Sequence, residues 1–303
     1  MSEKKKVFAT PKIRKFAREL GANIAEVVGT ERAGRITEED VKNYINNKLN
    51  KSSINDEIKI KKEFEHSEFG NVEIIDMPRV KRLAAPHLSN SWNTIPHVTH
   101  HDEADITELE DFRAKLTDSV SGDKIKITPL AFIAKALANN LKKFPRFNSS
   151  IDNISEGKIT LKKYFHIGIA VDTPHGLMVP KIRNVDQMKI KEIAEELKNV
   201  SELSRSLKIN KKEFFGGSIT ITSLGGIGGT YFTPIINYPE VAILGVGRSY
   251  KKQIFTKDKF LARTVLPLSL SYDHRIIDGA EAAKFCNSLK ENLGKNFAYN
   301  LAF

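Results

Sequence analysis

The sequence predicts an α/β sandwich, a sheet beneath several helices, preceded by a small helical unit. Strand-like runs at 166–171, 218–222, 241–246 and 262–271 alternate with helical patterns at 130–143, 189–200 and 280–293. The last strand-like run ends in a histidine set among charged residues, and a glycine then opens the final helix. The start of the chain carries its own helix start and stop signals and is followed by a polar stretch without apolar period. That divides the chain into a small domain at 7–46, a flexible linker at 47–71 and a large domain at 72–303.

Composition narrows the function classes. The 303 residues, 40% of them hydrophobic, suffice for one or two domains with a substantial core. No apolar run reaches the length of a membrane span, and residues 1–6 are too charged for a secretory signal. The single cysteine, Cys286, falls in a helical pattern and has no internal partner, which fits a reducing, cytoplasmic setting. The net charge of +11 is spread among many acids. Neither zinc-finger spacing nor an aromatic RNA-binding motif accompanies it, so neither nucleic acid nor membrane is an expected partner.

In the small unit, Pro11 opens a helical pattern with Ile13, Phe16, Ala17 and Leu20 on one side, and Gly21 stands where it stops. Residues 22–28 read as a short turn or helix, and residues 29–36 as a glycine-bearing loop. Thr37 starts a second helix through Val41, Tyr44 and Ile45; with Asp40 it makes a capping box whose acidic member is Asp in place of Glu or Gln. About forty residues bury only a small core, so such a unit is useful mainly for its surface. That surface carries Lys12, Arg14, Lys15, Arg18, Arg32 and Arg35. The pattern fits a solvated face and equally fits docking onto an acidic protein patch, where guanidinium forks engage carboxylates. Late in the linker, Phe64 and Phe69 are placed to tack it onto the next domain.

The large domain is expected to begin with a short strand at 73–75 and a helix at 80–92 that Pro86 threatens to interrupt. An extended run at 97–103 enters a helix that Asp105 and Glu108 can cap, running through Leu109, Phe112 and Leu116. Thr128 and Pro129 place a capping hydroxyl and an N1 proline before the helix at 130–143, whose Leu130, Ile133, Ala134 and Leu137 form an apolar face. No unit recurs at a fixed period, which excludes repeat architectures.

Chemistry is expected at the end of the last strand, where a rigid element holds a side chain at fixed range. His274 can take and return a proton near neutrality, as a general base must, although a satisfied surface or interface histidine fits the residue equally. Asp278 stands three residues before Glu281 and fits a helix cap as well as a site carboxylate. Two further patterns fall short. The run LGGIGGT at 224–230 fails the dinucleotide spacing at Tyr231 and lacks the Gly-Lys-Ser/Thr ending, so its glycines read as a tight turn or a close backbone approach. His97, His100, His101, Asp102 and Asp105 suggest a metal, but on an extended segment His97 and His101 share one side and His100 the other. No cysteine or second cluster completes a ligand set, and ordinary packing or ligand contacts are expected for them instead.

The motif Ser271-Tyr272-Asp273-His274-Arg275-Ile276-Ile277-Asp278-Gly279-Ala280 comes with four others. These are Ile95-Pro96-His97-Val98-Thr99, Pro145-Arg146-Phe147-Asn148-Ser149-Ser150, Ile219-Thr220-Ile221-Thr222-Ser223-Leu224-Gly225, and the run FTPIINYPEVAILG at 232–245. In these motifs the chain resembles the dihydrolipoyl acyltransferases of 2-oxo-acid dehydrogenase complexes, the pyruvate-type acetyltransferases most closely. The resemblance covers 9–45 and 72–303. It implies a two-layer sandwich with a mixed sheet, similar to chloramphenicol acetyltransferase, and transfer of an acetyl group from S-acetyl-dihydrolipoyl-lysine to coenzyme A as substrate. On that resemblance His274 is the general base, Thr222 the hydroxyl that stabilises the oxyanion where many relatives carry Ser, and Asp278 a carboxylate that positions the site. Ser223 is the rival for the oxyanion role. The resemblance further implies a homotrimer in which His274 and Thr222 come from different subunits, assembled into a core of 24 chains.

Pro11-Lys12-Ile13-Arg14-Lys15-Phe16-Ala17-Arg18 and Gly29-Thr30-Glu31-Arg32-Ala33-Gly34-Arg35-Ile36 resemble the signature stretches of the peripheral-subunit-binding domain. That puts Arg14, Arg18 and Arg35 at positions which contact dihydrolipoyl dehydrogenase or the decarboxylase component of pyruvate dehydrogenase. Glu31-Arg32-Ala33 departs from the usual Gly-Lys/Arg-x pattern. The family carries lipoyl domains with a modifiable lysine on a tight turn; Asp123-Lys124 and Asp258-Lys259 read as ordinary loop pairs, so the lipoyl-lysine arm is expected from a domain outside this chain. Competing readings are a non-catalytic scaffold that tethers partner enzymes, and the same transfer with a succinyl or branched-chain acyl group.

Overall fold

The computed structural model describes residues 8–45, 64–117, 122, 124–153, 156–256 and 258–302. The chain divides into two compact units, Met1–Ile74 and Ile75–Phe303.

In the first unit, helix α1 (Pro11–Glu19) starts with Thr10 accepting from the Ile13 N–H and stops at Gly21, whose φ of +67° a side chain would resist. Single turns follow at Ile24–Glu26 and Arg32–Gly34, then helix α2 at 38–45. Ala17, Val27, Ile36 and Val41 form the small core. The capping box forms with its shorter acid: the Thr37 N–H donates to Asp40 at 2.8 Å, and the Asp40 N–H to the Thr37 hydroxyl at 3.2 Å. The same carboxylate accepts from the Thr30 N–H and hydroxyl at 3.1 and 2.8 Å, tying the loop to the helix. These donors, the Thr37 N–H foremost, hold Asp40 down to about 2.

Residues 47–63 of the expected linker lie outside the described residues. Phe64 and Phe69 are exposed, and their rings pack edge to face on each other at 5.3 Å. The expected strand at 73–75 does not form, and Ile74 and Ile75 are 95% and 78% exposed. A β-branched run becomes a strand only where an edge offers it hydrogen bonds and a packing surface.

The second unit begins with α3 (Arg79–Thr94), which runs through Pro86 without breaking. Strand β1 (His97–Asp105) leads into α4 (Thr107–Lys115). There the expected capping by Glu108 is lost: Asp105 accepts from Thr107, while Arg263 draws the Glu108 carboxylate to itself at 2.6 and 2.8 Å. Helix α5 (Pro129–Lys143) is buried on nearly every side, and its Thr128 hydroxyl makes no cap bond. A hairpin of β2 (Ser149–Asn153) and β3 (Lys158–Leu161) stands apart from the main sheet. There follow β4 (Ile167–Ile169), β5 (Lys181–Ile182), α6 (Ile190–Arg205), β6 (Ile219–Ser223), β7 (Ala242–Val246), β8 (Tyr250–Thr256) and β9 (Lys259–Asp273). Helices α7 (Gly279–Leu293) and α8 (Phe297–Ala302) close the chain.

Among the described residues the strands form one mixed sheet in the order β1-β9-β7-β6-β4-β5, with β8 on the first half of β9. Strands β4, β6 and β7 run parallel; the other pairings are antiparallel. Alternation gives the sheet two unlike faces. Ile219, Ile221, Leu244, Leu268, Leu270 and Tyr272 are buried in the core with residues of α5, α6 and α7. The intervening residues line the other face in register rows: Thr222, Gly245, Ser269 and His101, then Thr220, Ile243, Ser271 and Thr99. This face is hydroxyl-rich, and Thr99 bonds Ser271 at 2.8 Å while His101 bonds Ser269 at 2.9 Å.

Candidate active site

His274 directly follows β9, where the sequence places it. Asp273, 1% exposed, donates its N–H to the Val241 carbonyl at 2.8 Å and accepts from the Ile276 and Ile277 N–H groups through its own carbonyl. Its carboxylate takes the Arg275 N–H at 3.0 Å and the Arg275 guanidinium at 2.5 to 3.1 Å. The His274 N–H donates to the Pro96 carbonyl at 3.1 Å. The backbone on both sides of His274 is thereby pinned, while the imidazole stays exposed, its centroid 6.0 Å from the Tyr272 ring.

Asp278 is the N-cap of α7, accepting from the Glu281 N–H at 2.8 Å. Glu281 does not complete a capping box; its carboxylate meets Arg146 at 3.3 Å. The cap supplies a firm start to the helix that follows the histidine turn.

Thr222 and Ser223 part company on β6. Thr222 is half-buried on the hydroxyl-rich face beside Gly245. Ser223 points the opposite way, and its hydroxyl accepts from the Gly225 N–H at 3.4 Å as the chain leaves the strand. Among the described residues the Thr222 hydroxyl is not committed to a hydrogen bond. The glycine run forms a turn, as expected: Leu224 accepts from the Ile227 and Gly228 N–H groups, and Gly228 and Gly229 have φ of +143° and +93°. A side chain at Gly245 would press within 2.9 Å of the Phe232 ring, which occupies that space next to Thr222.

The sheet register separates Thr222 from His274. The Thr222 row crosses β9 at Ser269, five residues before His274, which is roughly 17 Å along the strand and two strands to the side. One chain therefore does not bring the two groups together.

The five residues of the metal-like cluster are dispersed. His97 donates from Nδ1 to the Ile95 carbonyl at 2.8 Å and accepts at Nε2 from the Ile236 N–H at 3.0 Å, an assignment of the ring proton that the backbone donor dictates. His101 binds Ser269, Asp102 binds Lys290 at 2.9 Å, and Asp105 binds Arg263 and Thr107. His100 lies opposite Leu270, on the other side of β1 from His97 and His101, as alternation requires. No group of three potential ligands converges among the described residues.

One polar knot gave no signal in the sequence. Glu103 accepts from the Tyr231 hydroxyl at 2.9 Å, the Tyr250 hydroxyl at 2.5 Å and the Lys252 ammonium at 2.5 Å. These donors, Lys252 foremost, hold Glu103 down to about 2, while burial chiefly pushes Tyr231 well above the ordinary phenol range. The knot binds β1 and β8 to the segment after the glycine turn. Beside it lies a recess of about 500 Å³ lined by Gly229, Thr230, Arg248, Ser249 and Tyr250.

Arg14, Arg18 and Arg35 are all exposed on the small unit. Arg14 and Arg18 each donate Nε to a backbone carbonyl of α1 or its approach, at 3.2 and 3.3 Å.

The family described as 2-oxoacid dehydrogenases acyltransferase (catalytic domain) matches residues 69–299, and the e3 binding domain matches residues 7–42. The dihydrolipoyllysine-residue acetyltransferase component of the pyruvate dehydrogenase complex of Cupriavidus necator is 46% identical over 93% of this chain and 53% of its own length. The chain spans about half the length of the curated relatives it matches first. Among solved structures, the Azotobacter vinelandii dihydrolipoamide acetyltransferase is 44% identical, with a TM-score of 0.75 over 79% of this chain and 98% of that one. It was solved to investigate the catalytic roles of a serine, a histidine 52 residues later and an asparagine four residues beyond that. A structure of the cubic core of the pyruvate dehydrogenase multienzyme complex matches with the same identity, coverage and TM-score.

Proposed function

The chain belongs to the 2-oxoacid dehydrogenases acyltransferase family, and on that premise we propose that it transfers an acetyl group from S-acetyl-dihydrolipoyl-lysine to coenzyme A, as the core subunit of a pyruvate dehydrogenase complex. The observation that carries the assignment is spacing. Thr222, His274 and Asp278 are separated by 52 and four residues, the separations of the serine, histidine and asparagine studied in the Azotobacter protein. Two of the three residue types differ, but each keeps its chemistry: threonine offers the same hydroxyl donor as serine, and aspartate the same cap acceptor as asparagine.

In this reading His274 takes the proton of the coenzyme A thiol, and the thiolate attacks the thioester carbonyl carbon. The oxygen that gains charge receives a hydrogen bond from the Thr222 hydroxyl. As the tetrahedral intermediate collapses, the carbon–sulfur bond to the lipoyl arm breaks and the imidazolium returns its proton to that sulfur, leaving acetyl-coenzyme A and dihydrolipoyl-lysine. Asp278 positions the turn through its cap and exchanges no proton. The register distance between Thr222 and His274 favours a site shared between subunits, and the similarity to a cubic core structure supports homotrimers assembling into a core of 24 chains. The recess at Arg248 offers a guanidinium to the phosphates of coenzyme A. The lipoyl-lysine arm is the acyl donor. Residues 7–46 form the docking domain, residues 47–71 its tether and residues 72–303 the acyltransferase; Arg14, Arg18 and Arg35 meet carboxylates of dihydrolipoyl dehydrogenase or of the decarboxylase component. No helix among the described residues is long and apolar enough to cross a membrane, and the lone buried thiol suits a cytoplasmic setting.

The deciding experiment replaces His274 with Ala and measures transfer from acetyl-dihydrolipoamide to coenzyme A. A fall of about a hundred- to ten-thousandfold with the assembly intact is expected; unchanged turnover removes the base. Succinyl and isobutyryl donors assayed beside acetyl are expected to react more slowly, and a preference for either reassigns the complex.

A further inference from the structure

Resting on the roles given to His274 and Thr222, we propose that the buried ion pair Lys181–Glu240 is a positioning pair that holds the Thr222 strand and the His274 turn at a fixed spacing. The two side chains are 1% and 2% exposed and meet at 2.5 Å. Thr220 donates its hydroxyl to the second Glu240 oxygen at 2.6 Å and accepts from Lys181 at 3.3 Å, and the Asn237 amide donates to Glu240 at 3.1 Å. The chain makes room for the pair with bare backbone. A Cβ at Gly168 would stand 2.6 Å from the Lys181 ammonium and 2.5 Å from the Thr220 hydroxyl, and one at Gly217 would collide with the Glu240 carboxylate.

Stability is a weak account of this arrangement, because replacing a buried ion pair by apolar side chains of like volume is often neutral or stabilising. Its location says more. Thr220 lies two residues before Thr222 on the same face of β6. Glu240 precedes Val241, whose carbonyl takes the N–H of Asp273, the residue before His274. Asn237 follows Ile236, whose N–H is held by His97, and His97 stands opposite Asp273 in the β1–β9 register. One carboxylate thus joins the strand of the oxyanion donor to both supports of the histidine turn. Because Thr222 and His274 of one chain serve different sites of the trimer, the pair sets the spacing between halves of neighbouring sites.

The test uses the assembled protein with acetyl-dihydrolipoamide and coenzyme A. Lys181→Met/Glu240→Met removes both charges and strands neither, and Thr220→Val removes only the bridging hydroxyl. Both are expected to lower kcat by about tenfold or more, the scale of a small misplacement of reacting groups, with KM for both substrates near the parent's and Tm largely kept. Lys181→Met alone, which strands a buried carboxylate, is expected to lose Tm as well. Parental kcat in the double variant, or in Thr220→Val where the double variant does not assemble, overturns the proposal, as does a fall in kcat that only follows the folded fraction. A parent protein without transfer activity overturns instead the functional reading beneath it.

Discussion

Arg275 closes a two-pronged grip on the buried carboxylate of Asp273, with Nε 2.9 and 3.1 Å from its two oxygens and a terminal nitrogen 2.5 Å from one of them. His274 is the residue between them, so the fork sets the turn that presents the imidazole. Arg275→Lys keeps the charge but loses the planar fork. It is expected to lower kcat more than it changes KM. Arg275→Ala leaves a buried charge unpaired and is expected to cost about 3–5 kcal/mol of stability. Steady-state kinetics and thermal unfolding of the assembled protein check both outcomes.

Thr222→Val keeps the shape and removes the donor, and it is expected to slow transfer by roughly a hundredfold or more. Thr222→Ser retains most of the rate. Ser223→Ala removes a hydroxyl that serves the Gly225 turn on the opposite side of the strand, and its rate stays near the parent's. A larger loss at Ser223 than at Thr222 would transfer the oxyanion role to the neighbour.

At Asp278, the cap distinguishes geometry from charge. Asparagine caps a helix as well as aspartate does, so Asp278→Asn is expected to keep both Tm and rate. Asp278→Ala removes the acceptor of the Glu281 N–H and costs about 1 kcal/mol. A large rate loss in the Asn variant would show that the negative charge itself is needed.

In the small unit, Asp40 sits at about 2 against an ordinary 3.8. A carboxyl depressed in the folded state stabilises it fully above the unfolded value and loses that contribution as pH falls through the folded one. The protection of the amides across residues 30–41, taken relative to their intrinsic exchange at each pH, is therefore expected to hold above about pH 4 and to fall progressively toward pH 2. Asp40→Asn is expected to exchange faster at neutral pH and to converge with the parent at the acidic end.

Local signals were legible where a few adjacent residues settle the outcome. Thr10 and Pro11 start α1, Gly21 stops it, and Thr37 with Asp40 caps α2. The apolar runs of β6, β7 and β9 and the helix after Asp278 were equally plain. Elements without such signals were missed. The two residues of β5 are a strand only because β4 lies beside them, and the mostly exposed β8 is defined by its pairing with β9. The run at 73–75 shows the converse, strand propensity without a neighbouring edge. The capping pattern points to Glu108, whereas Arg263, 155 residues away and outside any such motif, takes its carboxylate.

The sequence by itself determined the chemistry on offer: an imidazole at a strand's end, adjacent hydroxyls at 222 and 223, and an acid at a helix start. The tertiary structure decided their use. It turned Thr222 and Ser223 to opposite faces, set the Thr222 row and His274 too far apart to meet within one chain, and brought Lys181 onto Glu240 across a glycine. The physical reason is that residue type and short spacing act locally, whereas face and distance follow from strand register, in which a slip of one residue would turn every side chain over.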